Sequence, residues 1–170
     1  MRWVRIGLEI VGALSLVFLG VLAVWIFRDT AFERINKANR KDVLFVLNWG
    51  GVSTDQDFKV IASYRSPRSL TGDHLDYYCI ELSKFEIAEW AKDEWHDGPE
   101  QNPLLAEALE LALNDARQHG DCFPSPEEAD SAAMKIMFCY VILHDRQPTA
   151  ANIILYNPKN KRLYYVSYKT

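Results

Sequence analysis

Histidine and cysteine are the residues of this 170-residue chain with the most versatile chemistry, and the chain holds four histidines and three cysteines. His74 stands between Asp73 and Asp76, a pattern suited to a general base with an orienting carboxylate. Cys122 closely follows His119, as a nucleophile would follow its base. A turn with a solvated histidine and an ordinary helix C-terminus explain the same residues, and we favour these explanations over catalysis. The patterns leave open a hydrolase that uses His74 or Cys122, and we assign no catalytic residue from them.

Motifs for metals and cofactors are absent from the sequence. The remaining histidines, His144 among them, do not have the spacing of a zinc site, and there is no Walker loop, dinucleotide-binding loop or nucleophile elbow. The chain carries 19 basic and 23 acidic side chains, a net charge of −4, which argues against a nucleic-acid partner. We therefore predict neither a metal site nor a cofactor.

A loop at residues 63–69 contains two arginines and three serines. Guanidinium groups bind carboxylates and phosphates in a bidentate geometry, so Arg65 and Arg68 are candidate anion-binding residues. The alternative is that the two arginines form ion pairs with acidic groups of the protein itself.

The charge distribution is the most informative functional signal. Residues 81–130 contain 14 acidic and three basic side chains, a net charge of −11. An acidic surface with embedded aromatic rings suits the binding of a basic protein. The alternative is that the acidic charge only keeps the protein soluble. The predicted protein-binding face combines carboxylates with two tryptophans: Glu86, Glu89, Trp90, Asp93, Glu94 and Trp95.

An apolar run marks the start of the chain. Residues 10–27 include no charged side chain, which meets the usual criterion for a membrane-spanning helix. Trp3 and Trp25 bracket the run as interfacial tryptophans do. The sequence therefore predicts a single-pass anchor in residues 1–27, a charged stalk in residues 28–41 and a lipid bilayer as one partner.

The orientation of this anchor stays open. A short basic tail before a first helix favours export of the remainder, whereas the lysines and arginines after the run favour a cytoplasmic domain. Cys79 and Cys139 lie in apolar segments, and Cys122 lies in a predicted loop. One disulfide with an odd thiol suits export, and three thiols suit the cytoplasm. Of the two, we favour export across a bacterial inner membrane.

Residues 42–170 have the length of one domain. Strand-like segments are predicted at residues 43–49, 58–64 and 75–82, and a closing hairpin at 153–156 and 163–168. Capping signals begin three helices, at Ser83, at Asn102-Pro103 and at Ser125-Pro126. The third helix is predicted to continue through the apolar residues 136–143, although a strand fits that segment too. The order βββ–ααα–ββ predicts an α+β fold, with a mostly antiparallel sheet covered by helices on one face.

The predicted core takes residues from each of these elements: Val43, Phe45, Leu47, Val60, Ile80, Leu105, Leu109, Ile136, Tyr140, Ile154, Leu163 and Val166. The functional hypothesis is a membrane-anchored, non-catalytic protein-binding module, with an immunity-type inhibitor of a toxin as a concrete form. The alternatives are the membrane-tethered hydrolase and an accessory subunit of a larger membrane complex.

Overall fold

The structure is a computed structural model that describes residues 12–24, 38–69 and 71–170. The chain divides into two compact units, Met1–Glu33 and Arg34–Thr170. In the first unit residues 12–24 are helical (α1). Among the described residues, no helix has both the length and the hydropathy that a membrane span requires. The remaining residues of the predicted anchor, and residues 28–37 of the predicted stalk, lie outside the described part of the chain.

The described residues of the second unit form a six-stranded antiparallel sheet in the order β1-β2-β6-β5-β4-β3. The predicted α+β class with an antiparallel sheet is confirmed. The strands are β1 (Phe58–Arg65), β2 (His74–Leu82), β3 (His96–Asp97), β4 (Lys135–His144), β5 (Gln147–Asn157) and β6 (Arg162–Lys169).

Helices cover both faces of this sheet rather than one. Side chains alternate along β2, so Tyr77 and Cys79 enter one apolar cluster while Tyr78 and Ile80 enter another. The first cluster includes the buried face of α3, and the second includes that of α2. The helices in the second unit are α2 (Arg40–Trp49), α3 (Pro103–Gln118) and α4 (Pro126–Ala129), with a 3-10 helix at Glu89–Glu94.

The first predicted strand is in fact helix α2. Its N-terminus is fixed by a capping box, in which the Asn39 side chain accepts from the backbone N–H groups of Lys41 and Asp42 at 2.8 and 3.1 Å. The Asp42 carboxylate accepts in return from the Asn39 backbone N–H at 2.8 Å. The apolar run is compatible with either element, but its buried residues have helical spacing. They are Val43, Val46 and Leu47.

The helix predicted from the capping signal at Ser83 does not form. The segment pairs instead with the turn that follows α2: Ser53 N–H donates to the Glu86 carbonyl at 3.0 Å, and Ala88 N–H donates to the Gly51 carbonyl at 2.7 Å. These long-range bonds occupy backbone groups that a helix would need. Only the short 3-10 helix follows, at Glu89–Glu94.

The other two predicted helices have different outcomes. Helix α3 begins as predicted, with the Asn102 side chain accepting from the Leu104 N–H and proline at the first helical position. The Ser125 capping box also forms, but it starts a helix of only four residues, α4. Residues 136–143 belong to strand β4, which pairs along its length with β5. The strand alternative for this segment is therefore correct.

Most of the predicted core is buried. Eight residues are at most 5% exposed: Val43, Leu47, Ile80, Leu109, Ile136, Ile154, Leu163 and Val166. Val60 and Leu105 are half-buried. Two assignments are wrong, because Phe45 is 61% exposed and Tyr140 is 38% exposed. Both errors follow from the misassigned elements, since the faces of a helix and of a strand select different residues.

A disulfide joins Cys79 in β2 to Cys122 in the loop after α3, with the two Cα atoms 6.3 Å apart. Cys139 carries a free, half-buried thiol. Of the two cysteine arrangements left open by the sequence, the structure has the one with a disulfide and an odd thiol.

Candidate functional site

The predicted acidic face lies in the segment that crosses the turn after α2. We call five of its residues the acidic tryptophan surface, since all of them are exposed: Glu86, Glu89, Trp90, Asp93 and Glu94. The segment is held in place by an isolated β-bridge between Val52 and Ile87, together with the backbone bonds to Gly51 and Ser53. Glu89, Asp93 and Glu94 are therefore presented by a short 3-10 helix that follows this fixed segment, and not by an α-helix.

Trp90 is the most exposed aromatic side chain among the described residues of the second unit, at 66%. Its ring rests against Gly51, where an added Cβ would lie 3.2 Å from Cζ2 of Trp90 and 2.2 Å from Cβ of Ala91. Gly51 also has a positive φ of 63°. Glycine at this position therefore permits the close approach that orients the tryptophan.

A depression of about 410 Å³ lies beside Trp90. Its walls include polar and acidic groups of the turn after α2, among them Ser53, Thr54 and Asp55, and Glu86 from the facing segment. A ring at the rim of a polar depression resembles the centre of a protein-binding surface more than an enclosed small-molecule pocket.

Only some of the acidic groups here are neutralised within the chain. Lys84 pairs with Glu86 at 3.1 Å, and Lys92 pairs with Glu89. For Asp93 and Glu94, the described part of the chain offers no ion-pair partner. These two carboxylates extend the negative potential towards solvent.

Trp95, the second predicted tryptophan, is part of the core instead. It is 8% exposed, its indole N–H donates to the Gly50 carbonyl at 2.8 Å, and its ring packs edge-on against Phe85 at 5.3 Å. A buried ring with a satisfied N–H anchors the segment from below. Trp95 therefore supports the surface without contributing to it.

The two predicted anion-binding arginines meet at a buried carboxylate. Arg68 contacts Asp76 at 2.5 Å, and Arg65 lies 3.8 Å from the same carboxylate oxygen. Arg65 also donates to the Tyr78 hydroxyl at 3.0 Å and lies 3.7 Å from Asp42. The arginines thus pair with acidic groups of the protein, as the alternative held. The strand register explains this contact, because Arg65 and Asp76 are directly opposed across β1 and β2.

Burial and charge act in opposite directions on this cluster. Burial alone would lower the pKa of the Arg65 guanidinium, but the neighbouring phenol and carboxylates outweigh it and raise that pKa. Asp76 is 4% exposed, and its Oδ1 has no hydrogen-bond partner among the described residues.

We expect Asp76→Asn to lower the free energy of unfolding by about 1–3 kcal/mol, because it removes the anion that both arginines surround. The arginine side chains are 39% and 48% exposed, so water partly replaces the lost partner and keeps the cost in this range. Urea unfolding of Asp76→Asn, Arg68→Ala and the double variant gives the coupling energy. Strictly additive losses would show that Arg68 and Asp76 do not interact in solution.

The residues considered for catalysis do not converge. His74 makes hydrogen bonds through Nδ1 to the Gly72 carbonyl and through Nε2 to the Ser167 hydroxyl, at 2.8 and 2.9 Å. Ser167 is 4% exposed, so this hydroxyl is not presented to a substrate. Cys122 is held in the disulfide, and His144 lies exposed at the end of β4. Among the described residues there is no cluster of three or more histidine, cysteine or acidic side chains able to hold a metal ion.

Comparison with known proteins gives no relative: no protein-family model, curated protein or solved structure matches this chain. A function for the chain is therefore inferred from its own geometry.

Proposed function

We propose that the chain is a membrane-anchored, non-catalytic protein-binding module whose acidic tryptophan surface binds a basic partner protein. The observation that carries the proposal is the exposed ring of Trp90 beside Asp93 and Glu94, two carboxylates without ion-pair partners among the described residues. Tryptophan is enriched among residues that dominate binding energy, and uncompensated charge steers an oppositely charged partner.

The apolar residues 10–27 are the basis for proposing a membrane anchor, and the disulfide supports placing the second unit on the exported side. Disulfides persist in oxidising compartments such as the bacterial periplasm and are rare in the cytosol. A single bridge with one half-buried thiol left over fits that environment. The proposed location is thus the outer side of a bacterial inner membrane.

An immunity-type inhibitor is the concrete form we propose. Such a module would place its carboxylates over a basic active site of a toxin and exclude the substrate by contact. An accessory subunit of a membrane complex would instead co-purify with several membrane proteins in mild detergent. Deleting the gene separates the two, since loss of an inhibitor is harmful only while a toxin gene is intact.

The hydrolase alternative has less support. The disulfide removes Cys122 as a nucleophile, because only a free thiolate attacks. His74 is engaged on both ring nitrogens, one of them by the buried Ser167. Replacing His74 by alanine would leave the proposed binding activity intact but would abolish a hydrolase that depends on it.

We expect the Asp93→Lys, Glu94→Lys double variant to slow association with the partner most strongly at low salt. The Debye length shrinks from about 30 Å at 0.01 M to about 8 Å at 0.15 M salt. The association rates of the variant and the wild type should therefore become more similar as the salt concentration rises. Trp90→Ala is expected to act on dissociation instead. If the ring fills a pocket of the partner, its loss weakens the binding free energy by about 2 kcal/mol, mainly through faster dissociation.

The measurement is a pull-down from the native membrane with the full chain as bait, followed by association and dissociation rates with the captured partner. Leu111→Ala is the matched control, because Leu111 is an exposed apolar residue on α3, outside the acidic tryptophan surface. Identical partners, rates and salt dependence for all variants would mean that the surface only keeps the protein soluble.

A further inference from the structure

Strand β4 has an open edge along most of its length. The short strand β3 pairs only with Lys135 and Ile136, and beyond them β4 pairs only with β5 among the described residues. Within the described part of the chain, one row of backbone N–H and C=O groups in residues 137–144 therefore lacks a strand partner. We call residues 137–144 the open edge. Such an edge is a template for pairing with another strand.

The open edge lacks the charges that normally protect an edge strand. Residues 136–143 contain no charged side chain, and three of them are both apolar and exposed: Tyr140 at 38%, Ile142 at 51% and Leu143 at 45%. By contrast β1, at the opposite edge of the sheet, carries Lys59 and Arg65. Irregular pairing with β5 near Cys139 and Leu143 bends β4 but adds no charge.

A row of aromatic rings, exposed at Tyr140 and Phe45 and half-buried at Trp49, continues the apolar surface from the open edge onto α2. The ring of Tyr140 lies 6.3 Å from that of Trp49, which in turn lies 5.4 Å from that of Phe45. An aromatic strip next to unpaired backbone groups gives a partner both side-chain contact and main-chain hydrogen bonds.

Each end of the open edge holds a charged side chain without an ion-pair partner among the described residues, Glu94 at the start and Arg146 at the far end. At its start His96 stacks on Phe138 at 5.8 Å, and the Glu94 carboxylate adds to the effect of burial, which raises the pKa of the Cys139 thiol to about 12. Glu94 lies close to that end because it comes only two residues before His96, which pairs with Ile136. At the other end the turn into β5 exposes Arg146, while its neighbour Asp145 lies 3.5 Å from His144.

We propose that two copies of this chain associate through their open edges, β4 against β4 in antiparallel order about a twofold axis. Antiparallel pairing brings the end of one edge to the start of the other, so Arg146 of each copy faces Glu94 of the second copy. In the dimer, Asp93 is then the carboxylate of the acidic tryptophan surface that stays available to a basic partner. Twofold symmetry forms this ion pair twice and joins the two sheets into one. The apolar side chains of residues 138–143 then face one another across the axis.

Sedimentation velocity of the full chain in mild detergent tests the proposal, and the expected protein mass is twice 19.6 kDa. Ile142→Lys places a charge on the open edge and is expected to give a monomer. The same change in another exposed residue, Leu111→Lys on α3, leaves the dimer intact. A wild-type chain that remains monomeric, or an Ile142→Lys variant that remains dimeric, would overturn the proposal.

A charge swap tests the orientation with variants that leave the apolar residues unchanged. Arg146→Glu and Glu94→Arg are each expected to weaken the dimer about tenfold, because symmetry alters two ion pairs at once. The double variant restores opposite charges across the axis and recovers the affinity. Failure of the double variant to recover, with both singles weakened and folded, would show that the open edge pairs in another way or with another protein.

Discussion

Replacing Cys79 and Cys122 together by alanine is expected to lower the free energy of unfolding by about 4 kcal/mol, because the bridge closes a long loop in the unfolded chain. The two cysteines are 43 residues apart in the sequence, and a loop of that length restricts the unfolded ensemble strongly. Denaturant unfolding of the full chain in mild detergent measures the loss. The Cys139→Ala variant is the control, since it removes a thiol without removing a cross-link.

Reducing the wild-type protein should have nearly the same effect as the double alanine variant, because both open the same loop. If reduction and substitution each cost less than about 1 kcal/mol, the cross-link would not account for the stability of this region. The bond ties β2 to the loop after α3, where the Tyr77 hydroxyl donates to the His119 carbonyl and Phe123 packs edge-on against Tyr77. A large loss would support the proposed oxidising location.

Those parts of the fold that carry two independent local signals were predictable from the sequence. Helix α3 has both a cap with proline after it and an apolar stripe, and the hairpin of β5 and β6 has strand-like residues on both sides of a turn-forming loop. In each case the local preference agrees with the final packing. Where local preference and final packing agree, the structure of a segment can be predicted from its own sequence alone.

Errors arose where a single signal stood alone. Residues 43–49 are apolar enough for a strand. The capping residue Asn39, which lies before this run, starts a helix that includes it. The capping signal at Ser83 is overridden by the backbone bonds of residues 86 and 88 to the turn after α2. These long-range backbone bonds are not encoded in the residues around Ser83. The local sequence therefore could not have predicted that the helix fails to form.

Only part of the candidate site could likewise be predicted from the sequence. The acidic character and exposure of Glu86, Asp93 and Glu94 follow from composition, because clustered carboxylates stay in water. Which tryptophan is exposed does not follow, since the burial of Trp95 depends on its hydrogen bond to the Gly50 carbonyl and on its packing against Phe85. That choice depends on a turn forty-five residues earlier in the chain.

Truncating Ile136 or Leu109 to alanine is expected to lower the free energy of unfolding by about 2–5 kcal/mol, through lost apolar burial and the cavity left behind. The two side chains are 0% and 5% exposed and belong to the same apolar cluster, one from β4 and one from α3. Leu111→Ala, on the exposed face of α3, should cost under about 1 kcal/mol. Denaturant unfolding of the three variants provides the comparison.

The double variant of Ile136 and Leu109 distinguishes one shared core from two independent contacts. Residues that share a cluster relax into the same space, so their truncation costs are expected to deviate from additivity by about 0.5 kcal/mol or more. Ile136 also meets the chain before α3, because its Cδ1 would lie 3.3 Å from a Cβ added at Gly98. Losses below 1 kcal/mol at both positions would place these residues outside the core and would contradict the packing of α3 on this face of the sheet.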